Sequence, residues 1–333
     1  MTITERIDSL ILKEREIPLL IHYFEALLRR LPRKSNLRSK IEENLLKAWA
    51  GYHGECKADR HISTIDNNHD TFILNDLCLP ISNSFFQIDT LILTSKYLLI
   101  LEIKNIAGSL EFDNEFEQFS RSLNGEIKGF PNPISQANRS KIHLKQWFHK
   151  KKLPTLPIEF LVVFTNSSSI ITSVNQNEMT KNKAIKIDNL VAKYLTIQRS
   201  YSSIPPFLEL KEQRRIANQL IKDHSPYSNY KRYPEEILSG VRCIQCEQFN
   251  MVRKIRSWYC NDCGLFDKNA HQQALYDYLL LVNPTISNQQ AREFLGVESS
   301  RVSYRLLNLT NLTPQGKGKG RTYSFPENHH NIF

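Results

Sequence analysis

Two neighbouring apolar segments carry charged residues at positions where a buried strand ordinarily has none. Asp89 interrupts the apolar run of residues 85–93, and the run of residues 97–105 leads into Glu102 and Lys104. Side chains alternate along a strand, so Glu102 and Lys104 leave the same face about 7 Å apart. The turn at residues 94–96 predicts a hairpin that brings Asp89 beside Glu102. Because burying charge is costly, we expect these groups to have a chemical role.

Two carboxylates beside an amine suit the metal-assisted hydrolysis of a phosphodiester. Mg²⁺ is usually held by one or two carboxylates, several waters and substrate phosphate oxygens. We expect Asp89, Glu102 and the Ile103 carbonyl to hold Mg²⁺ or Mn²⁺. Lys104 would orient the attacking water and offset the charge that develops on the phosphate. By spacing alone, a salt bridge between Glu102 and Lys104 at a strand edge remains the alternative, since Glu-x-Lys is a common tripeptide.

Four short motifs follow one another in order between residues 50 and 165. They are Gly51-x-x-Gly54-Glu55, Gln87-Ile88-Asp89, Leu101-Glu102-Ile103-Lys104-Asn105 with Gly108, and Asn132-Pro133-x-x-Gln136 with Arg139. Each is weak alone, but in this order the segment resembles the nuclease-related domain (NERD) family of the PD-(D/E)xK nuclease superfamily.

That resemblance implies a nuclease with an α/β, restriction-endonuclease-like core. It places five residues on the family's active-site positions: Glu55, Asp89, Glu102, Lys104 and Gln136. Gln136 would face the metal pocket from a helix that begins at Pro133, and Arg139 or Lys141 on the same helix would face phosphate. The alternative for the two cations is an ordinary basic surface helix.

Six cysteines include two Cys-x-x-Cys pairs, Cys243 with Cys246 and Cys260 with Cys263, separated by thirteen residues. Four thiolates at this spacing predict a structural Zn²⁺ site, because the ion is tetrahedral and each pair offers two ligands from one tight turn. Residues 249–259 would form the hairpin of a zinc ribbon. Within it Trp258 would either stack on nucleic acid beside its neighbouring cations or cover the metal hairpin.

Residues 268–333 resemble a winged helix-turn-helix module, whose second helix reads the DNA major groove. The helices are predicted at 268–282, from 286 to 297, and from 299 or 300 to 309. The exposed face of the last helix would hold Ser300, Arg301, Ser303, Tyr304 and Arg305. A hairpin over residues 312–325 would form the wing and present three cations to phosphate, Lys317, Lys319 and Arg321. The alternative is a flexible basic loop on a protein-binding module.

The chain has 333 residues, a net charge of +10 and 41% hydrophobic residues. Its basicity favours a polyanionic partner, most simply DNA, although solubility alone would also explain it. The first residues lack a signal-peptide pattern and no apolar run approaches a membrane span, so we expect a cytoplasmic protein without a membrane partner.

The remaining patterns predict how the chain is divided. Helices are expected at 5–31, interrupted by Pro18, and at 40–61, 133–149 and 204–223, with strands at 107–112, 158–164 and 184–187 and an exposed loop after 112. We expect a helical extension (1–50), the nuclease domain (51–225), a linker (224–240), a zinc ribbon (240–266) and the winged-helix-like module (268–333).

Taken together, these patterns predict a metal-dependent deoxyribonuclease that grips nucleic acid through its C-terminal modules. Two alternatives remain: a catalytically silent DNA-binding or regulatory protein, and C-terminal modules that serve as a protein-docking platform. A homodimer is also left open, because many nucleases of this fold cut duplexes as dimers.

Overall fold

The structure is a computed structural model that describes residues 11–65, 71–174, 177–225 and 237–326. The strands in these ranges are β1 (Ile11–Lys13), β2 (Thr71–Ile81), β3 (Ser84–Thr94), β4 (Leu98–Lys104), β5 (Gly108–Asp113), β6 (Gln118–Leu123), β7 (Glu126–Phe130), β8 (Ile158–Phe164), β9 (Ser169–Ser173), β10 (Ala184–Lys186), β11 (Met251–Lys254), β12 (Ser257–Cys260), β13 (Phe266–Asp267), β14 (Thr285–Ser287), β15 (Thr313–Gln315) and β16 (Thr322–Ser324). The helices are α1 (Leu19–Arg30), α2 (Arg38–Ile62), α3 (Pro133–Lys150), α4 (Glu178–Lys183), α5 (Leu190–Ser200), α6 (Leu210–Asp223), α7 (Ala270–Leu281), α8 (Asn288–Leu295) and α9 (Ser300–Leu309).

The chain divides into two compact units, and each is described by itself. The first unit comprises residues 1–16 and 49–227, and the second comprises residues 17–48 and 228–333. The boundary falls within α2.

A six-stranded mixed sheet forms the centre of the first unit, in the order β1-β2-β3-β4-β8-β10. The hairpin of β3 and β4 is antiparallel, whereas β4, β8 and β10 run parallel. Apolar residues alternate between two faces: Leu98 and Ile100 pack with α3 and α6, while Leu99 and Leu101 pack with α2 and α5. Because both faces are covered, the strand sequences read as continuous apolar runs. The sheet therefore fixes the face from which each charged residue of β3 and β4 departs.

The loop expected after residue 112 is wrong, since β6 and β7 form a hairpin there. With β5 and β9 they make a second sheet, in the order β7-β6-β5-β9. Four of the five residues of β7 are exposed and the last is half-buried, so this strand has little of the alternating apolar pattern by which a strand is recognised in a sequence.

The helix expected at 5–31 is also wrong in its first half. Residues Ile11–Lys13 form β1, which runs parallel to β2 at the edge of the central sheet. The helix α1 begins only after Pro18, because proline fits the start of a helix but not its interior. Residues 1–10 lie outside the described ranges. Strand β2 was not foreseen, although its antiparallel pairing covers most of β3.

In the second unit, the cysteine hairpin and the C-terminal helices share one hydrophobic cluster. The cluster includes Trp258 and Cys260 from β12 together with Leu275 of α7 and Leu306 of α9. The hairpin belongs to the small sheet β11-β12-β13, and a second small sheet has the order β14-β16-β15. Helix α1 packs on α7, so residues 17–48 contribute to the same unit.

Candidate active site and metal centre

Asp89 and Glu102 lie at one point where the β3–β4 pairing ends. The backbone ladder between these strands stops at Thr90 opposite Leu101. Beyond it, Oδ2 of Asp89 accepts a hydrogen bond of 2.7 Å from the backbone N–H of Ile103. The carboxylate thus replaces the next ladder bond and is held against the strand that carries Glu102. The structure brings these two acids together on the α3 face of the sheet.

Lys104 connects Glu102 to helix α3. Its Nζ donates to Oε1 of Glu102 at 2.6 Å and to Oε1 of Gln136 at 3.2 Å. Helix α3 can present Gln136 because Asn132 caps its N-terminus by accepting from the N–H groups of Ile134 and Ser135. The ion pair that spacing alone allowed is present, but it lies in a pocket rather than on a solvated edge, since the Glu102 side chain is 2% exposed.

The pocket disfavours the ionised forms of both of its carboxylates, and Lys104 offsets this only in part. Burial and then the charge of Asp89 raise the pKa of Glu102 to about 8, although Lys104 opposes this. Burial also raises the pKa of Asp89, against the effects of Lys104 and the Ile103 N–H. Burial lowers the pKa of Lys104, but Glu102 and Asp89 together raise it above its usual value. Two carboxylates share one ammonium, so a divalent cation would relieve their repulsion.

Glu55 approaches the same pocket from helix α2, which packs on the opposite face of the sheet. The helix comes close to the end of β4: Asn105 Nδ2 donates to the carbonyl of Ala50 at 2.7 Å. Burial, followed by the charge of Asp89, raises the pKa of Glu55 to about 7, so the two carboxylates lie within each other's field.

Arg15 is a site residue that the sequence pattern did not indicate. It follows β1, its side chain is 4% exposed, and it donates from Nη1 to Oε2 of Glu55 at 2.7 Å. Its Nη2 also reaches the carbonyl of Asp89 at 3.0 Å. The only signal in the sequence is an arginine within the charged stretch 13–16, which has no spacing relation to the four motifs.

The two cations expected on α3 are placed differently. Arg139 is exposed, whereas Lys141 is half-buried and its charge acts on Glu159 near the start of β8. Within the described ranges neither cation bonds to the acidic pocket, and their contact with phosphate stays a prediction.

The four cysteines of the two pairs converge in the second unit. Their Sγ atoms all lie within 4.8 Å of one another, with 3.6 Å between Cys243 and Cys263 and 3.5 Å between Cys246 and Cys260. A tetrahedral Zn²⁺ with bonds of about 2.3 Å needs sulfur atoms about 3.8 Å apart, so this arrangement could hold the ion. Among the described residues, no other group of three or more His, Cys, Asp or Glu side chains converges this closely.

Trp258 lies in the core of this unit. It is 0% exposed, and its Nε1 donates to Nδ1 of His271 at 3.3 Å. Of the two interpretations of Trp258, the structure therefore supports the one in which it covers the metal hairpin.

The prediction that five residues of α9 are exposed is confirmed for its two arginines and wrong for Ser303. Arg301, Tyr304 and Arg305 are exposed. Ser303 is 0% exposed, because its hydroxyl donates to the carbonyl of Asn288 and closes α9 against α8. Of the cations expected on the wing, Lys317 is exposed and Arg321 donates to the Tyr304 hydroxyl at 3.4 Å, while the side chain of Lys319 lies outside the described part of the structure.

None of the helices in the described ranges is both long and apolar enough to cross a bilayer. Residues 50–165 match the profile of the nuclease-related domain (NERD) family. No curated protein and no solved structure matches the chain.

Proposed function

Given that residues 50–165 are a nuclease-related domain, we propose that this protein is a metal-dependent nuclease that hydrolyses phosphodiester bonds of DNA. The observation that carries the proposal is the convergence of Asp89, Glu102 and Lys104 in one pocket inside the matched segment. Burying three charged groups from two strands costs free energy, so their meeting in one pocket does not serve the stability of the fold.

The donor set of this pocket suits a hard divalent cation. Asp89, Glu102 and the Ile103 carbonyl would hold Mg²⁺ or Mn²⁺, and waters and substrate phosphate would complete the shell. Burial raises the pKa of both carboxylates, and the charge of Asp89 raises that of Glu102 further, so a bound cation would stabilise their ionised forms. When bound, the metal supplies Lewis-acid polarisation of the phosphate and a water of lowered pKa.

The protein's own residues then have separate roles. Lys104 stays protonated because both carboxylates raise its pKa, so it contributes a fixed positive charge toward the scissile phosphate. Gln136 accepts from Lys104 and restrains the direction of its ammonium group. Glu55 adds a further carboxylate from α2 to the same pocket.

A cleavage assay tests the proposal directly. Wild type and Asp89→Asn are incubated with supercoiled, linear and single-stranded DNA, without metal and with Mg²⁺ or Mn²⁺. We expect metal-dependent cleavage by wild type and a loss of at least about 10²-fold in Asp89→Asn, since even outer-shell changes cost 10–100-fold. Glu111→Gln, which removes an exposed carboxylate from β5, is the matched control and should cleave like wild type.

Two results would contradict the nuclease proposal. One is equal cleavage by wild type and Asp89→Asn, which would indicate a contaminating nuclease. The other is binding of DNA by wild type without cleavage of any substrate, which would favour the catalytically silent alternative.

For the second unit, the proposed role is nucleic-acid binding around a structural Zn²⁺ held by the four cysteines. A groove of about 430 Å³ separates the β11–β12 hairpin from α9. Its cations are Arg253, Lys254, Arg256 and Arg305, and none of the described residues that line it is acidic. This charge is complementary to a phosphodiester backbone.

Arg253 gives a second reason to expect an anion in this groove. Its Nη1 is buried and has no hydrogen-bond partner among the described residues. A buried guanidinium donor without an acceptor costs free energy, and we propose that Arg253 turns this donor toward a phosphate oxygen when nucleic acid binds. Arg301 lies on the same helix as Arg305 and extends the basic surface. Binding of the phosphodiester backbone is also the role that we propose for the cations of the helix-turn-helix and the wing.

Salt-dependent binding distinguishes nucleic-acid binding from protein docking. DNA binding is measured against salt concentration in an Asp89→Asn background. One variant carries both groove substitutions, Lys254→Gln and Arg256→Asn. The control variant carries Lys211→Gln and Lys222→Gln on α6. Asn is chosen because Arg256 has φ of +60°, which asparagine tolerates. The groove pair should reduce the slope of log K against log salt by about 1–2, and the control pair should not. A wild-type slope near zero would favour the docking platform.

A further inference from the structure

Arg15 bridges the helix and the strand that carry two of the proposed site residues, although it lies outside the family-matched segment. Its Nε and Nη2 bind the two oxygens of Asp59 on α2, at 2.7 and 3.0 Å. The same Nη2 reaches the Asp89 carbonyl and the Thr90 hydroxyl on β3, at 3.0 and 2.8 Å. One guanidinium therefore joins α2 to β3 at the edge of the pocket.

The directions of the Arg15 contacts determine which carboxylate oxygen of Glu55 remains available to the pocket. The bidentate bond to Asp59 fixes the plane of the guanidinium, since both groups are planar forks. In that plane, Nη1 points at Oε2 of Glu55 and engages it at 2.7 Å. Oε1 is then the Glu55 oxygen with which this residue can meet a cation or a water. The positive charge of the guanidinium offsets part of the repulsion between Glu55 and Asp89.

Further contacts hold Arg15 itself in place. Lys13, two residues earlier, donates to the backbone carbonyl of Asn75 at 2.9 Å, and the side-chain carbonyl of Asn75 accepts from the Thr90 hydroxyl at 3.1 Å. Strand β1 is thereby fixed to β2 on one side of Arg15. The segment 11–16 thus forms a support for the pocket rather than a loose extension.

We propose that Arg15 is a positioning residue that sets the Glu55 carboxylate in the metal pocket opposite Asp89. The proposal rests on the nuclease function proposed above. It assigns to residues before the matched segment a part in building the site, and it makes no claim that Arg15 touches the substrate.

A double-mutant cycle tests whether Arg15 acts through Glu55. Arg15→Met, Glu55→Gln and the double variant are compared with wild type by calorimetric titration of Mn²⁺ and by the rate of plasmid nicking. We expect each single variant to weaken Mn²⁺ binding or nicking by about 10–100-fold. The double variant should be no worse than the more affected single variant, because the effects of coupled residues do not add. Losses that multiply in the double variant would overturn the proposal.

Arg15→Lys provides a second variant that keeps the charge and removes the fork. Its melting temperature and near-ultraviolet circular dichroism in metal-free buffer report on folding. A folded Arg15→Lys with Mn²⁺ affinity at least about 10-fold weaker supports positioning by the planar guanidinium. A folded Arg15→Lys that binds Mn²⁺ and nicks DNA like wild type contradicts it.

The two proposals fail in distinguishable ways. If wild type neither binds Mn²⁺ nor cleaves DNA, the nuclease function and the role of Arg15 fall together. If wild type does both and Arg15→Lys matches it, only the role of Arg15 is refuted.

Discussion

Gly54 and Gly51 lie one turn apart on α2. Replacing Gly54 by alanine should lower the stability of the protein, whereas replacing Gly51 by alanine should raise it. A Cβ added at Gly54 would lie 2.6 Å from Cβ of Asn105 and 2.8 Å from the hydroxyl of Thr165. A Cβ added at Gly51 would have no described atom within 4 Å, apart from its chain neighbours and the nearby backbone of its own helix. Asn105 and Thr165 follow β4 and β8, so Gly54 is the point at which α2 meets the ends of these two strands, and β4 carries Glu102 and Lys104.

The structure gives the size of the expected effect. An ordinary contact between carbon atoms is about 3.5–4.0 Å, so Gly54→Ala must move the helix or the strand end by roughly 1 Å. Overpacking of this kind costs about 1–3 kcal/mol, and the better helix propensity of alanine returns about 0.5–1 kcal/mol. We expect a net loss of about 1–2 kcal/mol for Gly54→Ala, and a gain of about 0.5–1 kcal/mol for Gly51→Ala.

Activity should change with the same displacement. Glu55 follows Gly54 directly, so a shift of the helix moves this carboxylate relative to Asp89. A misplacement of about 1 Å can cost up to about 10²-fold in rate. Urea unfolding and metal-dependent nicking are measured for wild type and both variants side by side. If Gly54→Ala were as stable as Gly51→Ala and as active as wild type, the close approach of α2 to the sheet would be wrong.

The remaining predictions concern the second unit. Cys260→Ser, or removal of metal by a chelator, should release zinc and alter the fluorescence of Trp258, because the metal hairpin is part of that core; an unchanged spectrum and the absence of zinc in the purified protein would contradict this. Burial lowers the pKa of His271 to about 4. Between pH 6.5 and 4 the unfolded chain therefore binds more protons than the folded chain, and the free energy of unfolding decreases as the pH is lowered, by up to roughly 3 kcal/mol. The stability of His271→Gln, measured by urea unfolding at each pH, should fall less than that of wild type over this window, and parallel curves would refute the assignment. Asp277→Asn should destabilise the unit by about 3–5 kcal/mol in thermal or urea unfolding, since Arg30, 1% exposed, would keep its charge without an anion, and a loss below 1 kcal/mol would contradict this.

Local patterns in the sequence determined the parts of the site that lie within single elements. Glu102 and Lys104 share a face because strand side chains alternate, and that relation needs no tertiary information. Asn132 and Pro133 predicted the start of α3, since a cap and an N1 proline act on their own helix. The cysteine spacing predicted which four thiols converge, because each pair is made by one turn.

The tertiary structure alone decided which distant segments complete these parts. Arg15 contacts Asp89 across 74 positions of the chain, and no periodicity in the sequence encodes such a contact. Ser303 has the residue type of an exposed position, but the approach of α8 buries it. The sequence by itself therefore determined which chemical groups each strand and turn can offer. The packing of α2 and β1 against the sheet decided which of them meet, because burial and long-range hydrogen bonds depend on elements that are remote along the chain.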